Sequence, residues 1–185
     1  MGKIIDSDMS FAEAIAGIDM PEHIARSLTL LSVDYVGYDG KDHSGQIIVA
    51  RPLAEEVREI FSRLFADGFP IEKMIPVCRY GWSDEKSMDD NNTSSFNYRE
   101  IYGTNRLSLH SYGCAIDINP RTNPYHAPDG RVFPAGARFD PRAKGAVTER
   151  VVSLFAEYGW EWGGVWEHPD YQHFQKPAAA PTGER

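Results

Sequence analysis

Residues able to do chemistry concentrate in two short stretches. The first is Ser108-Leu-His110-Ser-Tyr-Gly113-Cys-Ala-Ile-Asp117-Ile-Asn. Read as a strand, its second half turns Ile116 and Ile118 to one face and Asp117, with Ala115, to the other, because side chains alternate along a strand. A carboxylate flanked by isoleucines is costly to bury alone and needs a cation, a metal or a dense set of hydrogen bonds. His110 lies across Gly113, a residue that allows the turn or close backbone approach needed to bring an imidazole toward that carboxylate. Two readings stand open on this segment: a His–Asp hydrogen bond that holds a bend, or part of a metal site. The second stretch is Gly159-Trp-Glu-Trp-Gly-Gly-Val-Trp-Glu-His168-Pro-Asp170-Tyr-Gln-His173-Phe-Gln. Trp160 and Phe174 read as core packing, and the paired glycines as a tight turn. A hydrolytic zinc site needs three protein ligands, an open position for water and an acid near that water. His110, Asp117 and His173 offer the ligands and Asp170 the acid. Glu161 and Glu167 are alternative bases, although the Trp-Gly-Gly between them suggests that they frame the turn. His168, beside Pro169, reads as a loop residue, and Cys114 as a packed thiol on the strand face opposite Asp117.

The elements that must position these residues alternate between helical and strand periods without repeated βαβ units. Ser10 with Glu13 forms a possible capping box for a short helix closed by Gly17, and Pro21 can open a second. Leu28 to Val36 and Gln46 to Val49 read as a hairpin with a long turn. From Pro52 to Asp67 the apolar positions Leu53, Val57, Ile60, Phe61, Leu64 and Phe65 make a helical stripe stopped by Gly68. Val147 to Tyr158 repeats this arrangement before Gly159. Lys73 to Cys78, Phe96 to Ile101 and Cys114 to Asn119 are strand candidates. Five prolines within 120–141 predict a long irregular loop, a possible wall or lid.

Composition limits the alternatives. The 185 residues, 42% hydrophobic, suit one domain. A net charge of −8 leaves no broad basic surface, so nucleic acid is not an expected partner. No apolar run approaches the roughly 18 residues of a membrane span, and Asp6, Asp8, Glu13 and Asp19 interrupt the region where a signal peptide would need its apolar stretch. The chain as it stands therefore reads as unexported. Cys78 and Cys114 are too few for a disulfide framework and read as two reduced thiols.

Ser-x-His-x-x-Gly-x-Ala-x-Asp at 108–117, Trp-Gly-Gly-x-Trp at 162–166 and Asp-Tyr-x-His-Phe at 170–174 together resemble the zinc D-alanyl-D-alanine carboxypeptidase family, which includes the phage L-alanyl-D-glutamate endolysins. The similarity is greater to the endolysin branch, with Asp ahead of the last ligand. The block from Asp84 through Asn91, Asn92 and Thr93 to Arg99 looks like a bacterial subgroup of the same family. The resemblance implies an α+β fold, a single domain with an antiparallel sheet flanked by helices, of the kind shared by Hedgehog and DD-peptidase domains. On that fold 1–27 is an N-terminal helical extension, 28–176 the peptidase domain and 177–185 a disordered tail. It further implies one Zn²⁺ on His110, Asp117 and His173, Asp170 as general base, and an arginine that steadies the oxyanion. The usual arginine turn is not evident; Arg99, which closes the Asn-rich block, is preferred for that role, with Arg79 as the other candidate. Ser108, Asn92 and Arg79 are expected to contact substrate. The implied substrates are peptidoglycan peptides containing D-amino acids, cut at D-Ala-D-Ala or between L-Ala and D-Glu, by a monomer. Two alternatives are a cytosolic dipeptidase of wall-peptide recycling, which the absent export signal favours, and a non-catalytic zinc-stabilised binding module. A wall substrate would place the protein in the cell envelope if a leader had been trimmed.

Overall fold

The computed structural model describes residues 2–101 and 103–181. Its frame is the expected hairpin: β2 (Leu28–Gly37) and β3 (Asp42–Ala50) run antiparallel, in register from Leu28 opposite Ala50 to Val36 opposite Asp42. The turn is tighter than expected, because Ser44 and Gly45 lie within β3. Gly45 is required there: a Cβ on it would stand 2.2 Å from the Met74 carbonyl oxygen, the same oxygen that accepts from the Gln46 amide. Two short edge strands complete the sheet in the order β1-β3-β2-β4. Both β1 (Ile4–Ile5) and β4 (Pro70–Ile71) join in parallel, so only the central pair of this sheet matches the antiparallel expectation.

Helix α3 (Ala54–Ala66) lies on this sheet, reached by a chain whose N-terminal helices α1 (Phe11–Ala14) and α2 (Glu22–Ser27) come first. The predicted stripe is the buried one: Val57, Ile60, Phe61 and Leu64 are all at most 2% exposed. Burial of such side chains contributes about 1.5–3 kcal/mol each, which anchors the helix far more firmly than its propensity could. The capping box at Ser10 and Glu13 is formed. Ala14 and Ile24 enter the common core, so α1 and α2 pack onto the rest of the fold.

A second sheet carries the chemistry. It has the antiparallel order β5-β9-β8, from β5 (Ala115–Asp117), β9 (His173–Gln175) and β8 (Glu161–Trp162). Helix α5 (Glu149–Glu157) supports it through Phe155, stacked on Phe174 at 3.9 Å between centroids. One continuous core joins both sheets, and the molecule is α+β.

Two predicted strands do not form. Around 73–78 the backbone is served by a side chain instead of a ladder: Asn92 accepts from the Ile75 amide at 2.9 Å and donates to the Ile75 carbonyl at 2.9 Å, and Pro76 precedes a 3-10 turn over Val77–Tyr80. Around 96–101 the chain bonds to the turn that carries His110, through Asn97 N to His110 O and Arg99 N to Ser111 Oγ. Helix α4 (Asp84–Asp89), capped by Ser83, is unanticipated. The proline-rich segment is irregular apart from a small ribbon of β6 (Tyr125–His126) and β7 (Val132–Phe133). The stretch expected as a tail begins with a 3-10 turn, Pro177–Ala179, and Ala180 is 5% exposed within the core; residues 182–185 lie outside the described residues. No helix among the described residues is long and apolar enough to cross a membrane.

Candidate metal centre

His110 is held by a turn designed around its neighbours. Leu109–Tyr112 is a 3-10 turn whose first amides are capped by Ser108, its Oγ accepting from His110 N at 3.3 Å. Gly113 ends the turn with φ +64°, and a Cβ there would stand 2.6 Å from Ala50 N and 2.7 Å from Val49 C. Only glycine meets both demands, the left-handed backbone and the contact with β3. The chain then enters β5, where Asp117 is the direct cross-strand partner of His173 on β9.

These elements bring the three residues together. His110 Nε2 lies 3.2 Å from Asp117 Oδ2 and 3.2 Å from His173 Nδ1, and His173 Nδ1 lies 3.0 Å from Asp117 Oδ1. Each residue is at most 8% exposed. Zinc bonds of about 2.0–2.1 Å at a tetrahedral angle put neighbouring donors roughly 3.3 Å apart, so the triangle has the size of one face of such a site. His110 Nδ1 faces the Ser95 carbonyl at 2.5 Å, which accepts a hydrogen bond from it and leaves Nε2 for the cluster. Two imidazoles and a carboxylate are a suitable donor set for zinc, and three protein ligands leave the fourth position that a hydrolytic metal needs. Among the described residues this is the one group of histidine, cysteine and acidic side chains arranged to hold a metal ion.

Asp170 stands beside the triangle, seated by the glycine turn. Its amide donates to Gly163 O at 3.0 Å, and a Cβ on Gly163 would meet Asp170 O at 2.8 Å. Its Oδ1 is buried without a hydrogen-bond partner. Burial raises its carboxyl, the charge of Asp117 adds to this, and together they outweigh His173, Gln172 and His110, so that Asp170 is pushed up to about 7. Asp117 behaves oppositely. Burial alone would raise it, but the charge of His110 and hydrogen bonds from both imidazoles hold it well below the usual carboxylate range. Burial disfavours a charged His173, yet its hydrogen bond to Asp117 raises its pKa on balance. Two neighbouring carboxyl groups are thus pushed apart, one ionised and one able to gain or lose a proton near neutrality, the division of labour that acid–base sites use.

The other candidates lie differently. Asn92 was expected to contact substrate, but it is fully buried and its amide serves Ile75 and the Ser87 hydroxyl, so it is a support of the fold. Ser108 is spent on capping the His110 turn. Arg79 is exposed, and its charge adds to the Ser10 hydrogen bonds that hold Glu13 low, on the N-terminal segment. Arg99 is next to the His110 turn through its backbone, accepting from Ser108 N and donating to Ser111 Oγ; its Nη2 pairs with Asp84 at 2.9 Å and its Nε is buried without a partner. Trp166, 39% exposed, sits over the His173 ring at 5.4 Å between centroids and forms one rim of the site. Sequence reasoning missed the Ser95 carbonyl, which no side-chain motif could reveal, and the contacts of Gln175. Both cysteines are free thiols, and burial pushes Cys114 up to about 11.

A mixed α+β domain with a buried His–Asp–His triangle and an adjoining carboxyl has the makings of a metallopeptidase. Residues 102–176 match the family described as D-alanyl-D-alanine carboxypeptidase, and the matched segment carries all three triangle residues and Asp170. The resemblance read from the three motifs is borne out over this span. Comparison with curated proteins and with solved structures gave no match.

Proposed function

We propose that the chain is a zinc-dependent peptidase that hydrolyses peptidoglycan peptides at bonds involving D-amino acids, either terminal D-Ala-D-Ala or L-Ala-D-Glu. The observation that carries this reading is the triangle of donors separated by 3.0–3.2 Å with Asp170 beside it. His110 through Nε2, Asp117 through its carboxylate and His173 through Nδ1 would hold the ion. Zinc bound there supplies Lewis acidity toward a peptide carbonyl and lowers the pKa of its water from about 15.7 toward 7.

The chain's own residues supply the rest. Asp170 accepts the proton of the attacking water and returns it to the leaving amine, a role that contributes about 10²–10⁴-fold. Its position near neutrality suits both halves of that transfer. Arg99 is assigned the developing oxyanion in preference to Arg79, because its backbone borders the His110 turn and its Nε has no protein partner. Trp166, against the His173 ring, walls one side of the site. The test is mass spectrometry of defined muropeptides incubated with the protein, with and without a chelator. Loss of a terminal D-Ala, or a cut after L-Ala, that the chelator abolishes supports the proposal. Metal bound stoichiometrically with no product from any wall peptide refutes it and leaves a binding module.

A further inference from the structure

Each histidine of the triangle has one ring nitrogen turned inward and one turned away, and what meets the outer nitrogen decides where the proton sits. For His173 the outer atom is Nε2, 3.2 Å from Gln175 Oε1. The Gln175 amide continues outward, its Nε2 donating to Glu161 Oε2 at 2.9 Å. This contact follows from register, since Glu161 and Gln175 are direct cross-strand partners in β8 and β9. An ionised carboxylate only accepts hydrogen bonds. Glu161 therefore requires the NH₂ end of the Gln175 amide, the carbonyl end must face His173, and His173 must carry its proton on Nε2. With Nε2 so engaged, Nδ1 is the nitrogen left to bind an ion held between Asp117 and His110. We infer that Gln175 and Glu161 are positioning residues of the metal centre, a two-step relay that selects the metal-binding tautomer of His173 and fixes its ring. His110 has no such adjustable partner, because its outer nitrogen meets a backbone carbonyl.

The inference rests on the metal-site reading above, and its test separates the two. Zinc affinity is measured by competition with a chromophoric chelator, and the His173 tautomer by long-range ¹H–¹⁵N correlation in the zinc-loaded protein, for wild type, Gln175→Ala, Glu161→Ala and the double variant. Outer partners of ligating histidines commonly matter by about 10–100-fold in metal affinity. Gln175→Ala should weaken zinc by such a factor and mix the two tautomers. Glu161→Ala should act in the same direction by less, and should add little once Gln175 is gone, because the two work through one chain of bonds. A wild type that binds no zinc overturns the metal site itself. A wild type that binds zinc, with Gln175→Ala unchanged in affinity and tautomer, overturns the relay alone. Glu161 is exposed, so Glu161→Ala carries the test should Gln175→Ala fail to fold.

Discussion

Substitution of Gly113 by alanine probes how the fold holds His110, because the cost can be worked out from two separate contributions. With φ at +64°, an added Cβ costs about 1–2 kcal/mol from the left-handed backbone alone. The same Cβ would lie 2.6 Å from Ala50 N, 2.7 Å from Val49 C and 2.9 Å from Leu28 Cδ2, and two of these atoms are strand backbone that cannot swing aside. Overpacking of this kind costs about 1–3 kcal/mol more. The sum, about 2–5 kcal/mol, corresponds to a fall in Tm of roughly 4–20 °C for a domain of this length. Gly159 is the control: its φ is +76°, but nothing lies within 4 Å of its Cβ position, so Gly159→Ala should show only the backbone cost, roughly 2–8 °C. The 3-10 turn must also shift away from β3, and it carries His110, so Gly113→Ala should weaken zinc binding while Gly159→Ala leaves it alone. Thermal unfolding and chelator competition on both variants read the two effects. Equal losses in Tm with unaltered zinc affinity in both would refute the claim that close contact with β3 positions the ligand.

Other perturbations are sharper in chemistry. Asp170→Asn should retain zinc and lose about 10²–10⁴-fold in kcat on a cleaved muropeptide, checked by metal content and rate together. Alkylation followed by mass spectrometry should label Cys78 well before Cys114, since Cys114 is fully buried and pushed up to about 11; equal labelling of the folded protein would contradict this packing. Burial pulls His43 down, but Asp6 and Asp39 more than reverse it, so its folded pKa lies above the unfolded value of about 6.5. A raised pKa of this kind stabilises fully below about pH 6.5 and is lost as pH rises through the folded value. The Tm of wild type should therefore fall more steeply than that of His43→Asn between pH 6.5 and 8, measured by calorimetry on both.

What could be read directly from the chain were features that are local. The α3 stripe, the Ser10 capping box and the β2–β3 hairpin each depend on residues within one or two turns of one another, and Asp117 between two isoleucines declared an inward acid before any partner was known. His110, Asp117 and His173 were legible as a candidate ligand set through three spaced motifs, although their meeting depends on the β5–β9 register. Features set by distant side chains were hidden. Asn92 replaces a strand ladder for Ile75, so an apolar run that looked like a strand became irregular chain. Gln175 touches His173 and Glu161 only because β8 pairs with β9 in one register, and a shift of one residue would turn those side chains to the other face. Arg99 pairs with Asp84 from α4, a helix of 6 residues that is too short to show a periodicity in the chain.

The most direct measurement is an anomalous-scattering map at the zinc absorption edge from crystals of the zinc-loaded protein. One peak bonded to His110 Nε2, Asp117 and His173 Nδ1, with Asp170 close by but unbonded, is the result expected. A peak elsewhere, or none at these three side chains in a protein that still cleaves muropeptides, would contradict it.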